Sequence, residues 1–289
     1  MITLKQSTVQ RVLNLGDLPT LPDVMARILN VAEDSESNAT DLTAILACDP
    51  AICTRVLRLA NSPFYGARYS VDTIQRAIIT IGFEAVKQLA LATSVLHAFQ
   101  SKWNRGFDAE DFWMHSLGAG RAAQLLTRFS GNMTAGDACY TAAVLHDLGK
   151  YMLSLSEANA YPALLDEARE RARPIRELEE ERLHISHDQL GAWMLERWSF
   201  PPAIVEGVGY QYMPEHHRGK NHKAICVLAL CSDMARQAGL GHGGDECPAI
   251  FNPYAMLQLE LTEAKMDELL QILSENRADA GAALQMMRE

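Results

Sequence analysis

The chain has 289 residues, of which 48% are hydrophobic, so it can bury the core of one large domain or two smaller ones. Its 36 acidic and 26 basic residues give a formal net charge of −10, which repels phosphate backbones unless basic groups cluster on one face. We see no such cluster and expect no nucleic-acid partner. Long apolar runs and a secretory signal are also missing, which predicts a cytoplasmic protein with no membrane partner.

Apolar residues recur at helical spacing along the chain, and alternating runs rich in β-branched residues are missing. This pattern predicts an all-α fold. A first helix is expected from near Pro22, with one apolar stripe made of Val24, Ile28, Leu29 and Val31.

Proline and glycine mark the breaks in the first half of the chain. Asp49-Pro50 should separate two helices, residues 61–70 should form a loop, and Gly82 should mark a helix junction. The polar connector at residues 100–111 suggests a boundary. We therefore predict an N-terminal helical half at residues 1–104 and a second helical subdomain at residues 105–289.

In the second half of the chain, apolar residues at helical spacing predict five further helices. They are expected in "FWMHSLGAGRAAQLLTRF", "GDACYTAAVLHDLGKYMLSL", "HDQLGAWMLERW", "AICVLALCSDMARQAG" and "TEAKMDELLQILSENRADAGAAL". The glycine-rich residues 239–246 predict a mobile loop. Residues 166–182 mix both charge signs at helical spacing, which is typical of a solvated helix surface.

The six cysteines lie among apolar neighbours, and none of them forms a CxxC pair. This pattern predicts reduced, buried thiols rather than disulfides or a zinc site. The residues are Cys48, Cys53, Cys139, Cys226, Cys231 and Cys247.

A histidine and an aspartate, His146 and Asp147, stand side by side in the apolar stretch "AAVLHDLGKYML". Neighbours on a helix point about 100° apart, so they can share one ion only where the helix ends or bends. Further ligands must come from elsewhere, and His115 and Asp233 lie on other predicted helices. Two imidazoles and two carboxylates suit manganese, iron, zinc or nickel. Alternatively, Asp147 caps a turn and His146 is a hydrogen-bonded core histidine.

In this order, His115, His146-Asp147 and Asp233 resemble the H…HD…D metal signature of the HD-domain phosphohydrolase superfamily. The resemblance implies a helical bundle of HD-domain type and a divalent ion (Fe, Mn, Zn, Ni or Mg) that activates water. It further implies that Lys150, in "HDLGK", contacts substrate phosphate. In an enzyme, Lys150 and Asp147 would be the catalytic residues.

Several longer stretches are similar to the HDOD domain, a bacterial signalling branch of this superfamily. The most specific are "DPAICTRVLRLANSPFYG" and "RWSFPPAI", and the resemblance covers residues 15–235. It implies a module that acts on a regulatory protein partner without turnover. The N-terminal helices could also support a homodimer.

The related HD-GYP cyclic-dinucleotide phosphodiesterases carry paired histidines where this chain has Gln211-Tyr212. His187 matches a histidine common in HDOD chains and is interpreted as structural rather than as an extra ligand. A single-ion site therefore remains, and two functions stay open: a non-catalytic signalling module or a metal-dependent phosphohydrolase acting on a nucleotide or another phosphate ester. The direction of the Lys150 side chain discriminates between the two functions. It should face the ion if the protein binds phosphate, and it should point into solvent if the fold has kept no phosphate site.

Overall fold

The computed structural model describes residues 23–33, 37–62, 71–99, 108–131 and 136–275, with residues 277 and 281. Among these residues the regular structure is helical and contains no strand, which confirms the all-α fold class. The described residues form two compact units: residues 23–99 with residues 277 and 281, and residues 108–275. We call them the N-terminal and C-terminal units. The predicted boundary at residues 104/105 lies outside the described residues and stays a prediction.

The N-terminal unit is built around its last described helix, which packs against the other four. The helices are α1 (Asp23–Glu33), α2 (Ala39–Ala47), α3 (Pro50–Ala60), α4 (Ile74–Ile81) and α5 (Phe83–Phe99). Helix α5 contacts α1, α2, α3 and α4, and the aliphatic residues buried in this unit stabilise it by their transfer out of water.

The predicted breaks of this unit are present. The side chain of Asp49 caps α3 by accepting from two backbone N–H groups, and Pro50 opens that helix. Gly82, with φ +97°, separates α4 from α5. Most of the apolar stripe of α1 is buried, although Val24 is only half-buried and Met25 takes its place in the core. The predicted loop at 61–70 lies mostly outside the described residues.

The C-terminal unit holds the other helices of the described chain. They are α6 (Ala109–Phe129), α7 (Gly136–Leu145), α8 (Leu148–Ser156), α9 (Tyr161–Arg171), α10 (Ile175–Leu183), α11 (His187–Arg197), α12 (Pro202–Tyr210), α13 (His222–Gln237), α14 (Pro253–Gln258) and α15 (Glu263–Glu275). Helix α6 packs against α7 and α13, while α11 packs against α8 and α12. No helix among the described residues is long and apolar enough to cross a membrane.

The stretch "GDACYTAAVLHDLGKYMLSL" is not one helix, as the sequence predicted. Helix α7 ends at Leu145, His146 and Asp147 form a turn, and α8 begins at Leu148. Neither glycine nor proline marks this break, and α8 is buried from Leu148 to Ser154. Apolar periodicity therefore could not reveal it.

The crossing of α8 and α11 is very tight at Gly149. A Cβ atom at Gly149 would lie 1.9 Å from the carbonyl oxygen of His187. Glycine allows this approach because it has no side chain. The close crossing brings the start of α11 next to the His146–Asp147 turn.

Candidate metal centre

Three of the four predicted metal ligands converge in the C-terminal unit. His115 comes from α6, and His146 and Asp147 come from the turn between α7 and α8. One ligand atom from each of these three residues lies within 4.8 Å of the others, and we call the three residues the cluster. Asp147 Oδ2 is 3.6 Å from His115 Nε2 and 3.3 Å from His146 Nε2. The helix break is what lets two adjacent residues face one point.

The hydrogen bonds of the two imidazoles direct lone pairs toward this point. His146 Nδ1 lies 2.6 Å from the Ala143 carbonyl oxygen, and His115 Nδ1 lies 3.3 Å from that of Gly241. A carbonyl only accepts, so the Nδ1 of each ring is assigned a proton, and a ring with one proton has Nε2 as an acceptor. Burial, followed by the proximity of His146, lowers the pKa of His115 to about 3, so this ring is neutral at pH 7.

The electrostatics of the turn suit a bound cation. His146 Nε2 and Asp147 Oδ1 are buried and have no hydrogen-bond partner, which is costly unless something coordinates them. Burial would raise the pKa of Asp147, yet His146 and Lys150 hold it well below its usual range. Two imidazole nitrogens and one carboxylate fit a divalent ion and favour iron, zinc, manganese or nickel over magnesium.

Asp233, the fourth predicted ligand, does not join this group. Ser232, one residue earlier on α13, faces the cluster and hydrogen-bonds His115 Nε2 at 3.1 Å. Asp233 points about 100° away around the helix and pairs with Arg236. Burial is the main reason why the pKa of Asp233 is raised. Among the described residues, the group that could hold an ion therefore consists of His115, His146 and Asp147, and the four-ligand set stays a prediction.

Lys150 is fully buried and directed at the ligand Asp147. Its Nζ donates to Asp147 Oδ2 at 2.9 Å, to the Gly243 carbonyl at 3.2 Å and to Asp245 Oδ2 at 2.6 Å. An ammonium has three donors, so all of them are used. Although burial disfavours its charge, the two carboxylates raise the pKa of Lys150. The lysine faces the site, as expected for phosphate binding, but its donors are occupied.

A second set of polar groups supports Asp147 from the other side. His187 Nε2 lies 3.5 Å from Asp147 Oδ1 and 2.9 Å from the Tyr212 hydroxyl, while its Nδ1 lies 2.6 Å from Glu179 Oε2. Burial opposes charge on His187, but Glu179 prevails and raises the pKa of His187.

Glu179 is fully buried, so it is an exception to the predicted solvated surface at 166–182. The positions 211–212 also contact the cluster, with Gln211 Nε2 donating to the His146 carbonyl at 3.0 Å.

The glycine-rich segment 239–246, predicted to be mobile, is held in place over the cluster. The Asp111 carboxylate accepts from the N–H groups of His242 and Gly243 at 3.1 and 2.9 Å. A Cβ atom at Gly243 would lie 2.8 Å from Asp147 Oδ2 and from His115 Cδ2. The backbone of this segment is thus in contact with the candidate metal ligands.

Comparison with known proteins agrees with this fold. A model of the HDOD domain matches residues 18–214, well over half of the chain. The chain belongs to the HDOD domain family. In this HDOD protein, the match over residues 18–214 includes His115, His146 and Asp147, the three residues that converge.

Solved structures share the fold of this HDOD protein. An HDOD domain protein of unknown function from Geobacter sulfurreducens has a TM-score of 0.81 at 20% identity, covering 98% of both chains. A candidate signal transduction protein from Marinobacter aquaeolei has a TM-score of 0.79 at 19% identity, covering 100% of this chain and 68% of the other. A candidate phosphohydrolase from Shewanella amazonensis has a TM-score of 0.73 at 22% identity, covering 98% of both. At these identities the likeness shows the fold alone.

An uncharacterized protein of Treponema pallidum is 23% identical to the HDOD chain over 226 residues. The alignment covers 77% of this chain and 43% of the Treponema protein. The chain thus spans less than half the length of that relative.

Proposed function

We propose that this protein is a signal-transduction module that acts on a regulatory protein partner and does not turn over a substrate. The observation that carries this proposal is the state of Lys150. Its ammonium is fully buried, and all three of its N–H donors are bonded to groups of the same chain. A phosphate ester would find no free cation at the position where it would have to bind.

Access to the cluster supports the same proposal. His115, Asp147 and Lys150 have no exposed surface, and Gly243 lies in contact distance above them. A substrate therefore could not reach the ligands without displacing the segment 239–246. The family membership and the fold shared with a candidate signal transduction protein are consistent with this function.

The first test is hydrolysis. Purified protein loaded with manganese would be incubated with phosphomonoester, phosphodiester and nucleotide substrates, beside the variant Asp147→Ala. We expect both proteins to release product at the same background rate, because phosphate cannot reach a free cation. Hydrolysis by the wild type that Asp147→Ala abolishes would contradict the proposal.

The second candidate function is a metal-dependent phosphohydrolase. It is favoured by the two buried acceptors without partners, His146 Nε2 and Asp147 Oδ1. With His115 they would hold a divalent ion, which when bound supplies a Lewis acid and lowers the pKa of water. Lys150 could then contact phosphate only after releasing Asp245.

Metal binding itself is tested by thermal unfolding. At a hundredfold excess over its dissociation constant, zinc or manganese stabilises a native protein by about 2.7 kcal/mol, or roughly 5–10 °C at this size. We expect such a rise in Tm for the wild type and none for His146→Ala. Asp233→Asn is the matched control and should keep the rise, because Asp233 lies outside the ligand group. If the Tm of Asp233→Asn does not rise on addition of the metal, Asp233 is a metal ligand.

A further inference from the structure

The hydroxyl of Ser232 is bonded to the ring nitrogen that His115 would offer to a metal ion. Ser232 Oγ lies 3.1 Å from His115 Nε2, while Nδ1 of the same ring lies 3.3 Å from the Gly241 carbonyl oxygen. With one proton, assigned to Nδ1, the ring has Nε2 as an acceptor, so the Ser232 hydroxyl donates to it. The hydroxyl and an ion therefore compete for the same lone pair.

The other two members of the cluster differ from His115 in this respect. His146 Nε2 and Asp147 Oδ1 are buried and have no hydrogen-bond partner. Each of these residues thus keeps one atom open for an ion, whereas both nitrogens of the His115 ring are bonded. Within the cluster, His115 is the ligand that must give up a hydrogen bond before it can bind an ion.

Ser232 also belongs to the wall of a cavity of about 390 Å³ in the C-terminal unit. Ala229, one helical turn earlier on α13, lies in the same wall. Ser232 is half-buried, whereas His115 and Asp147 have no exposed surface. Within the described part of the chain, Ser232 is the wall residue whose side chain bonds a ligand atom of the cluster. Ser232 therefore connects the cavity to the cluster.

We propose that Ser232 is the gating residue of the candidate metal centre. In the closed state its hydroxyl holds His115 Nε2. In the open state the hydroxyl turns toward the cavity and leaves Nε2 to a divalent ion, such as zinc or manganese, that arrives through the cavity. Rotation about one side-chain bond is enough for this change. The inference goes beyond the proposed function, because it applies whether or not the protein turns over a substrate.

Gating by Ser232 lowers the affinity for the ion. An ion that binds only the open fraction of the molecules has an apparent dissociation constant equal to the intrinsic constant divided by that fraction. One neutral hydrogen bond shifts such an equilibrium by about threefold to tenfold. Because Ser232→Ala removes the competing donor, it should bind zinc and manganese more tightly than the wild type by this factor.

The experiment is titration of the full chain, first freed of metal with a chelator, with zinc and with manganese at pH 7. Ser232→Thr keeps a hydroxyl and should bind like the wild type. Ser116→Ala is the matched control, because it removes a buried hydroxyl next to His115 that has no hydrogen-bond partner. Its affinity should equal that of the wild type. A purely structural role of Ser232 would not make the alanine variant bind more tightly.

The cavity as the route of entry is tested by the rate of metal uptake. Ala229→Phe places a large side chain in the cavity wall close to Ser232. Zinc uptake should be measured by stopped flow with a fluorescent chelator that reports free zinc. We expect slower uptake by Ala229→Phe at an unchanged dissociation constant, since a narrower path slows entry and exit alike. Ser232→Ala should take up zinc faster than the wild type.

Three equilibrium results would overturn the inference: equal or weaker binding by Ser232→Ala, equal tightening in Ser116→Ala, or no binding of either metal by Ser232→Ala. Wild-type uptake rates in Ala229→Phe would refute the cavity as the route. If Ser232→Ala does not fold, the uptake rates of the wild type and Ala229→Phe decide. Hydrolysis tests the proposed function separately, because a metal titration does not measure turnover.

Discussion

Lys150→Met should destabilise the protein by about 3–5 kcal/mol, the range expected when one partner of a buried ion pair is removed. Methionine has a similar length but no charge, so it leaves Asp147 and Asp245 buried without their shared cation. The free energy of unfolding should be measured by urea denaturation at pH 7.

Two controls make this result specific. Adding Asp245→Asn to Lys150→Met removes one of the stranded charges, so the double variant should lose less than the sum of the two single variants. Arg173→Met breaks ion pairs with Glu177 and Glu181 that are exposed to water, and it should change stability little. A loss for Lys150→Met as small as that for Arg173→Met would show that the buried network does not stabilise the fold.

Gly149→Ala should destabilise the protein by about 3 kcal/mol, the upper end of the usual effect of overpacking. The added methyl group would lie 1.9 Å from the His187 carbonyl oxygen and 2.9 Å from the Gly191 nitrogen. Both are backbone atoms, so α8 and α11 would have to move apart. The change should be visible as a lower urea midpoint.

Gly207→Ala is the matched control for this substitution. Its methyl group would meet the end of the Leu228 side chain at 2.9 Å, which can rotate away. Alanine also favours a helix over glycine by roughly 1 kcal/mol. Gly207→Ala should therefore be nearly neutral, and equal losses for both variants would refute the close crossing as the cause.

The sequence predicted the features that have a local chemical mark. Asp49-Pro50 and Gly82 carry residues that disfavour a helix interior, and one helix ends and the next begins at each of these places. The helical fold class followed from apolar spacing. The break at His146-Asp147 carries no such mark, because it follows from tertiary packing of two helices that are apolar nearly all around.

The candidate site was predicted in part for a related reason. The resemblance grouped His115, His146, Asp147 and Asp233, and the first three converge in the structure, whereas the position of Asp233 depended on helix register. A shift of one residue turns a side chain by about 100°, and Ser232 faces the cluster instead. Nothing in the local sequence distinguishes these two neighbours.

Glu179 and Asp245 were missed because their surroundings suggested solvent. Glu179 lies in a run of charges, and Asp245 follows several glycines. Composition describes the average environment of such segments, whereas burial of one member depends on distant partners. For Asp245 those partners are Lys150 and Ile175, separated by 95 and 70 positions along the chain.

The interior of the C-terminal unit also has an unequal charge balance. Asp147, Glu179 and Asp245 are acidic, and within the described part of the chain Lys150 is the buried cation that pairs with two of them. A proton on His187, favoured by its raised pKa, neutralises part of the excess. The enclosed residues therefore attract positive charge as a group, so protons and metal ions compete for the same negative interior.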